Sequence, residues 1–279
     1  MDNRLFVAYK PAGMVSNHFL SRIKRRYNIK KAGFSGTLDP FAEGVLIIAF
    51  GQFTKLFRFL KKAPKTYRAT LWIGAKSPTL DSEQIQSVQE MMPFHPDSIH
   101  FILNSLVGEL TYLPPKYSAK KIEGQRAYDL ARKEQDFELH AIMSRVYDCH
   151  LVHYAHPFLT FEITISEGGY IRSIGEMIAQ KLGFDGCLSA LNRLNEGKFV
   201  YQDELELDPL AYLDVEKNEY LGDKNDILLG RKLLVEHFAN QTEGIYQLVI
   251  DEMLSIVQIS ANGVEYLLNL LSLKKASSC

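Results

Sequence analysis

Cysteine is scarce. Cys149, Cys187 and Cys279 are far apart and odd in number, which excludes a disulfide framework and provides no zinc-ligand spacing. Long apolar runs are missing too: the longest, Val45 to Phe50, has the length of a core strand, well short of the roughly 20 residues of a membrane span. The N-terminus, MDNRLFVAYKP, lacks the basic-then-apolar layout of a signal peptide. Neither GxGxxG nor a phosphate-binding GxxxxGK loop occurs, and no repeat or low-complexity tract is visible. A cytoplasmic enzyme with no membrane segment and no nucleotide cofactor fits these absences. What remains is an ordinary globular composition, 279 residues with 46% hydrophobic and 23% charged, enough for one large domain plus a small one.

The formal net charge of −1 hides an asymmetry. Residues 1–80 hold 15 Lys and Arg against 3 Asp and Glu, while residues 201–279 hold 6 against 14. The dense parts are RIKRRYNIKK (22–31) and KLFRFLKKAPKTYR (55–68). A run of charge is ordinarily a solvated face. Aromatics among these basics (Tyr27, Phe57, Phe59, Tyr67) favour a surface for a polyanion.

Periodicity predicts mixed elements. LFVAYKP reads as a strand closed by Pro11, and residues 16–31 as a helix with Ser16 or Asn17 at its N-cap. GVLIIAF reads as a buried strand and KTYRATLWIG as an alternating one. The segment LTFEITISEGGYIRSIGEMIAQKLG runs from a strand through Gly168–Gly169 into a helix ended by Gly183. Strands and helices do not alternate regularly, so the expected class is α+β with a mixed, mostly antiparallel sheet. His150, His153 and His156 near Cys149 invite a metal site, but strand geometry puts His153 on the opposite face from the other two. Ser35, Ser118 and Ser173 have no nearby His, which argues against a serine hydrolase.

The stretch GFSGTLDPFAEGVL (33–46) sets a lone aspartate, Asp39, between two glycines and a proline. Pro40 biases Asp39 towards extended backbone, so TLDP reads as a loop. Asp before Pro is a common turn signal, and that is one reading of Asp39. Its setting supports another. Asp39 is one of three acids in the basic first 80 residues. A carboxylate ringed by Lys and Arg stays ionised, and an ionised carboxylate can act as a nucleophile.

GFSGTLDPFAEGVLIIAFGQFTKL closely resembles the signature of TruB-type tRNA pseudouridine synthases, and further blocks follow in that family's order. They are KPAGMVSN (10–17), KTYRATLWIG (65–74), PPKYSAKKIEGQRAYDLAR (114–132), SEGGYIRSIGEMIAQKLG (166–183) and LSALNRLNEGKF (188–199). The resemblance implies a pseudouridine synthase catalytic domain over 1–217 with an RNA-gripping insert at about 110–140, followed by a reduced, β-rich PUA-like domain over 218–279. It implies an isomerase that turns uridine 55 in the T loop of tRNA into pseudouridine, as a monomer with the tRNA T arm as partner and with no cofactor or metal.

By match, Asp39 is the nucleophile, attacking either the sugar C1′ or the base C6. Tyr67 lies against the flipped base and relays a proton, or else is an ordinary inward strand aromatic. Arg172 pairs with Asp39, while Tyr170 and Leu191 line the uracil pocket. Lys10 is placed at the substrate, and Lys120, Lys121 and Arg126 hold phosphates. Phe34 stands where the family has a histidine, so it either stacks on the RNA or packs inwards. The usual TDTxD block is weak, with Thr79 and Asp81 in place. The acidic tail carries none of the matched chemistry, so its removal is expected to leave kcat within about tenfold if the remainder folds. Two alternatives keep the residues and change the role: a tRNA-folding factor with a vestigial site, and a synthase for another RNA.

Overall fold

A computed structural model describes residues 3–117, 121–122, 125–126 and 139–274. Eight strands form the main sheet: β1 (Arg4–Lys10), β2 (Ala32–Ser35), β3 (Glu43–Phe50), β4 (Lys65–Ile73), β5 (Gly108–Tyr112), β6 (Ile142–Ala155), β7 (Phe158–Ile165) and β8 (Gly186–Glu196). Their order across the sheet is β1-β3-β8-β4-β7-β6-β5, with β2 also paired to β3. Every pairing is antiparallel except β3 with β8, where Asn192 sits opposite Glu43 and Arg193 opposite Gly44. The expected mixed, mostly antiparallel α+β sheet is what the chain forms.

The uninterrupted apolar run of β3 has a physical cause. Val45, Ile47 and Ala49 enter one core with Leu5, Val7 and Phe53, whereas Leu46, Ile48 and Phe50 enter another with Phe6, Phe19 and Ile23. A strand covered on both faces has no polar side to show. β4 instead alternates. Tyr67, Ala69, Leu71 and Ile73 face the largest core, with Ile99 of α2 (Pro96–Asn104) and Ile174 of α3 (Ile171–Lys181). On its other face Thr66 and Thr70 pair across to Thr164 and Thr160, each at 3.0 Å.

The first helix, α1, spans Ser16–Arg26 rather than reaching residue 31. Asn28 adopts φ 50°, and Tyr27 turns back on Phe6 and Phe50 with ring centroids at 5.7 and 5.4 Å. The N-cap position belongs to Val15, which caps nothing, because Ser16 is engaged elsewhere. α3 ends as expected, with Gly183 at φ 88° just past Leu182.

The C-terminal sheet contains β9 (Glu216–Lys217), β10 (Gly244–Ile250), β11 (Met253–Ser260) and β12 (Gly263–Ser272) in that order. One of its faces packs on a core of its own, with Ile227, Phe238, Tyr246, Leu248, Val257 and Ile259, and the other joins the rest of the chain. Leu254, Ile256, Leu268 and Leu271 share one core with Leu5, Val7, Phe53, Leu56 and Phe59. Side-chain bonds cross the seam: Asn3 Nδ2 donates to Ser272 O at 2.9 Å, and Arg58 Nη2 donates to Leu267 O. Among the described residues, no helix is long and apolar enough to cross a membrane.

Candidate active site

Between β2 and β3 the chain makes the loop 36–42, and three clamps hold it. Leu38 and Ala42 are buried in the largest core, which leaves Asp39 displayed between them. Ser16 Oγ accepts from Leu38 N at 3.1 Å and donates to Leu38 O at 3.0 Å. Gly13 N donates to Pro40 O at 2.8 Å. From the far side, the buried Arg193 donates Nη2 to Gly36 O and Nε to Val45 O, each at 2.9 Å, so one guanidinium spans both ends of the loop. Gly36 (φ +70°) approaches so closely that a Cβ there would lie 2.9 Å from Glu196 Oε2.

Asp39 opens on a pocket of about 330 Å³ whose walls include Lys65, Tyr67, Gly169, Tyr170, Arg172 and Leu191. Tyr67 and Leu191 are each 7% exposed and come from neighbouring strands. Tyr170 occupies the N-cap position of α3, and its backbone N–H donates to Tyr112 Oη at 3.0 Å. One turn of sheet and helix therefore gathers four of the residues the resemblance nominated: Asp39, Tyr67, Tyr170 and Leu191.

Arg172 completes that set. Its Nε lies 2.9 Å from Asp39 Oδ2. A cation in the first turn of a helix opposes the helix dipole, so this position requires strong partners. Arg172 finds them in Thr79 O at 2.8 Å, Tyr117 O at 2.9 Å and Asp81 Oδ2 at 3.5 Å. Asp81 is itself buried, and its Oδ1 accepts from Thr79 Oγ1 at 2.6 Å and Glu83 N at 3.1 Å. The two positions that survive of the weak TDTxD block are thus the support behind the Arg172–Asp39 pair.

The electrostatics refine one expectation. Burial pushes the Asp39 carboxyl above the usual carboxylate range. The charge of Arg172 opposes that rise, Asp81 adds to it, and the Arg172 hydrogen bond and Lys10 oppose it again. The cations are present as expected, but desolvation outweighs them. Lys10 lies beneath the loop rather than in the pocket wall. It is fully buried, and its Nζ donates to Pro11 O at 2.9 Å and Met14 O at 2.6 Å. Burial pulls its pKa down to about 8 against the attraction of Asp39.

Phe34 is not among the pocket residues. It is half-buried on β2 and packs against the core that α1 covers. Lys120 lies outside the described residues, and for Lys121 and Arg126 only the backbone is described, as partners in a short antiparallel strand pair. Sequence reasoning missed Lys65, Arg193 and Glu196. Glu196 is wholly buried, with Oε2 2.9 Å from Lys65 Nζ and Oε1 2.9 Å from Arg193 Nη2. Alternation puts Leu191 and Arg193 on one face of β8 and Glu196 on the other, and the irregularity between Arg193 and Asn195 that turns Glu196 inwards has no signal in the sequence. Among the described residues no three His, Cys, Asp or Glu side chains gather as a metal site. His150 instead meets Asp148 at 2.7 Å.

Comparison with known proteins gives this geometry a family. A model described as "TruB family pseudouridylate synthase (N terminal domain)" matches residues 24–171. A tRNA pseudouridine synthase B of a Nitratiruptor species is 53% identical over 267 residues, 96% of this chain and 97% of the relative. One from Sulfurimonas denitrificans is 54% identical over 265 residues, 95% and 97% of the two chains, and one from Campylobacter concisus is 49% identical over 267, 96% and 98%. In structure, the chain resembles one from a Cbf5–Nop10–Gar1 complex with a TM-score of 0.68 at 19% identity, over 96% of this chain and 85% of that one. A chain of an H/ACA RNP bound to a substrate RNA containing 2′-deoxyuridine gives 0.63 at 18%, over 97% and 86%. These last two likenesses speak to the fold alone. The loop, its buried arginine partner and these matches agree, and the chain belongs to the TruB family of pseudouridylate synthases, an isomerase family.

Proposed function

We propose that this protein isomerises uridine 55 in the T loop of tRNA to pseudouridine, with Asp39 as the nucleophile. The observation that carries the reading is the Asp39–Arg172 pair, 2.9 Å apart, at the floor of a pocket with aromatic walls. The relatives' shared name, tRNA pseudouridine synthase B, supports tRNA as the substrate. The target base leaves its stack, at a cost of a few kcal/mol, and enters between Tyr67, Tyr170 and Leu191. The Asp39 carboxylate attacks C1′ or C6, the C1′–N1 bond breaks, and the base turns within the pocket. A C1′–C5 bond then forms, the bond between Asp39 and the nucleotide breaks to return the free carboxylate, C5 loses its hydrogen as a proton relayed through Tyr67, and N1 gains a proton. Atoms balance without an outside group. Arg172 orients the carboxylate and steadies its charge.

Phosphate contacts by Lys120, Lys121 and Arg126 and stacking by Phe34 belong to the same proposal, as do a cytoplasmic monomer and a PUA-like role for residues 218–279. A tRNA transcript carrying tritium at uridine C5 tests the chemistry. Release of label into water, one equivalent per tRNA, is expected, and no release from a transcript that the protein binds contradicts it.

The pH profile follows from the raised pKa of Asp39. The nucleophile must be ionised, so kcat/KM falls as pH drops through that value, and the acid limb lies above that of an ordinary aspartate. Asp81→Asn removes a charge that raises this pKa, so it should move the limb to lower pH. An acid limb that rises or stays fixed in Asp81→Asn would separate Asp81 from the Asp39 titration.

A further inference from the structure

At the pocket mouth the loop 166–170 turns through Gly168, at φ +85°, and sets Glu167 over two lysines. A single oxygen, Glu167 Oε1, lies 3.5 Å from Lys62 Nζ and 3.9 Å from Lys65 Nζ. A charge-assisted hydrogen bond between such groups is about 2.7–2.9 Å, so this carboxylate sits between two ammonium groups and bonds neither well. The exposures are unequal: the Glu167 side chain is 54% exposed, Lys62 17% and Lys65 8%. Lys65 has a second carboxylate in Glu196 at 2.9 Å, whereas Lys62 pairs with no other among the described residues. The lysines belong to a stretch fixed by backbone bonds, Lys61 N to Tyr212 O at 2.9 Å and Gly197 N to Pro64 O at 2.8 Å. The carboxylate is on a glycine turn with open space around Gly168.

We propose that Lys62 and Lys65 form a seat for a backbone phosphodiester of the RNA strand carrying the target nucleotide, and that Glu167 occupies this seat until the RNA displaces it. The proposal rests on the reading of the substrate as RNA. Lys65 lines the pocket beside Tyr67, and any nucleotide drawn in brings its 3′ and 5′ phosphodiesters towards the mouth. A phosphodiester has two non-bridging oxygens and can give one to each ammonium, which the single oxygen of Glu167 does not do. A seat already filled by a carboxylate also disfavours polyanions that offer charge but no base to flip.

The test measures tRNA-transcript affinity over a salt series, with every variant built on Asp39→Asn so that no turnover occurs. Glu167→Gln should tighten binding about three- to tenfold at low salt, because the RNA no longer has to displace a carboxylate from lysines that it contacts in both proteins. Adding Lys62→Gln should weaken binding and reduce the Glu167→Gln gain to less than twofold. Melting temperatures verify that each variant is folded. An unchanged affinity in Glu167→Gln, or an equal gain with Lys62 removed, overturns the seat. Failure of the wild-type protein to bind or modify tRNA would instead remove the functional reading, and the seat with it.

Discussion

Asp39→Asn is expected to reduce pseudouridine formation by on the order of 10⁴-fold or more while tRNA affinity stays within a few-fold of wild type. The amide fills the same volume but cannot act as the attacking carboxylate. The structure also predicts what stability will do. Burial raises the pKa of Asp39, so its ionised form is disfavoured by folding, and a neutral isostere removes no stabilising charge at neutral pH. Arg172 keeps Asp81, Thr79 O and Tyr117 O as partners. The melting temperature should therefore hold or rise slightly, the pattern of a site whose activity works against stability. A variant that unfolds would assign Asp39 a structural role, and one that turns over near the wild-type rate would remove it as nucleophile.

Deleting residues 218–279 is expected to yield no soluble, folded protein. The expectation that kcat stays within about tenfold, drawn from the tail's acidity and its lack of matched chemistry, held only if the remainder folds, and the shared core removes that condition. The C-terminal sheet covers Leu5, Val7, Phe53, Leu56 and Phe59, and its own Leu254, Ile256, Leu268 and Leu271 complete that core. Uncovering an apolar side chain costs about 1.5–3 kcal/mol, so four or five approach the whole stability of a domain, about 5–15 kcal/mol. Asn3 and Arg58 also lose backbone acceptors, Ser272 O and Leu267 O. Circular dichroism and a melting curve on the truncated protein decide this. A cooperative transition close to that of the full chain would show that the two parts fold independently.

The sequence made legible those features with a local cause. The strands β1, β3 and β4 follow from apolar periodicity, and the stop of α3 from Gly183. The loop at Asp39 follows from Pro40 and the flanking glycines, and the chemistry-bearing residues came through as ordered blocks. What was not legible depends on distant partners. Ser16 looks like an N-cap because a serine before an apolar period usually is one, yet its hydroxyl spans to Leu38, 22 residues away. Glu196 looks like a strand-surface charge until a bulge turns it in beside Arg193 and Lys65. Lys10 looks like a cation for the substrate, and only the closed turn at Pro11–Met14 reveals where its ammonium is spent. The dependence of the catalytic part on the tail was hidden for the same reason. Charge is readable residue by residue, but a shared core is not.

The most direct measurement is a nucleotide-resolution map of pseudouridine in an unmodified tRNA transcript after incubation with the purified wild-type protein and with Asp39→Asn. A single new pseudouridine is expected, at position 55 of the T loop, formed by the wild-type protein and absent with the variant. Conversion at other positions only, or equal conversion by both proteins, would contradict it.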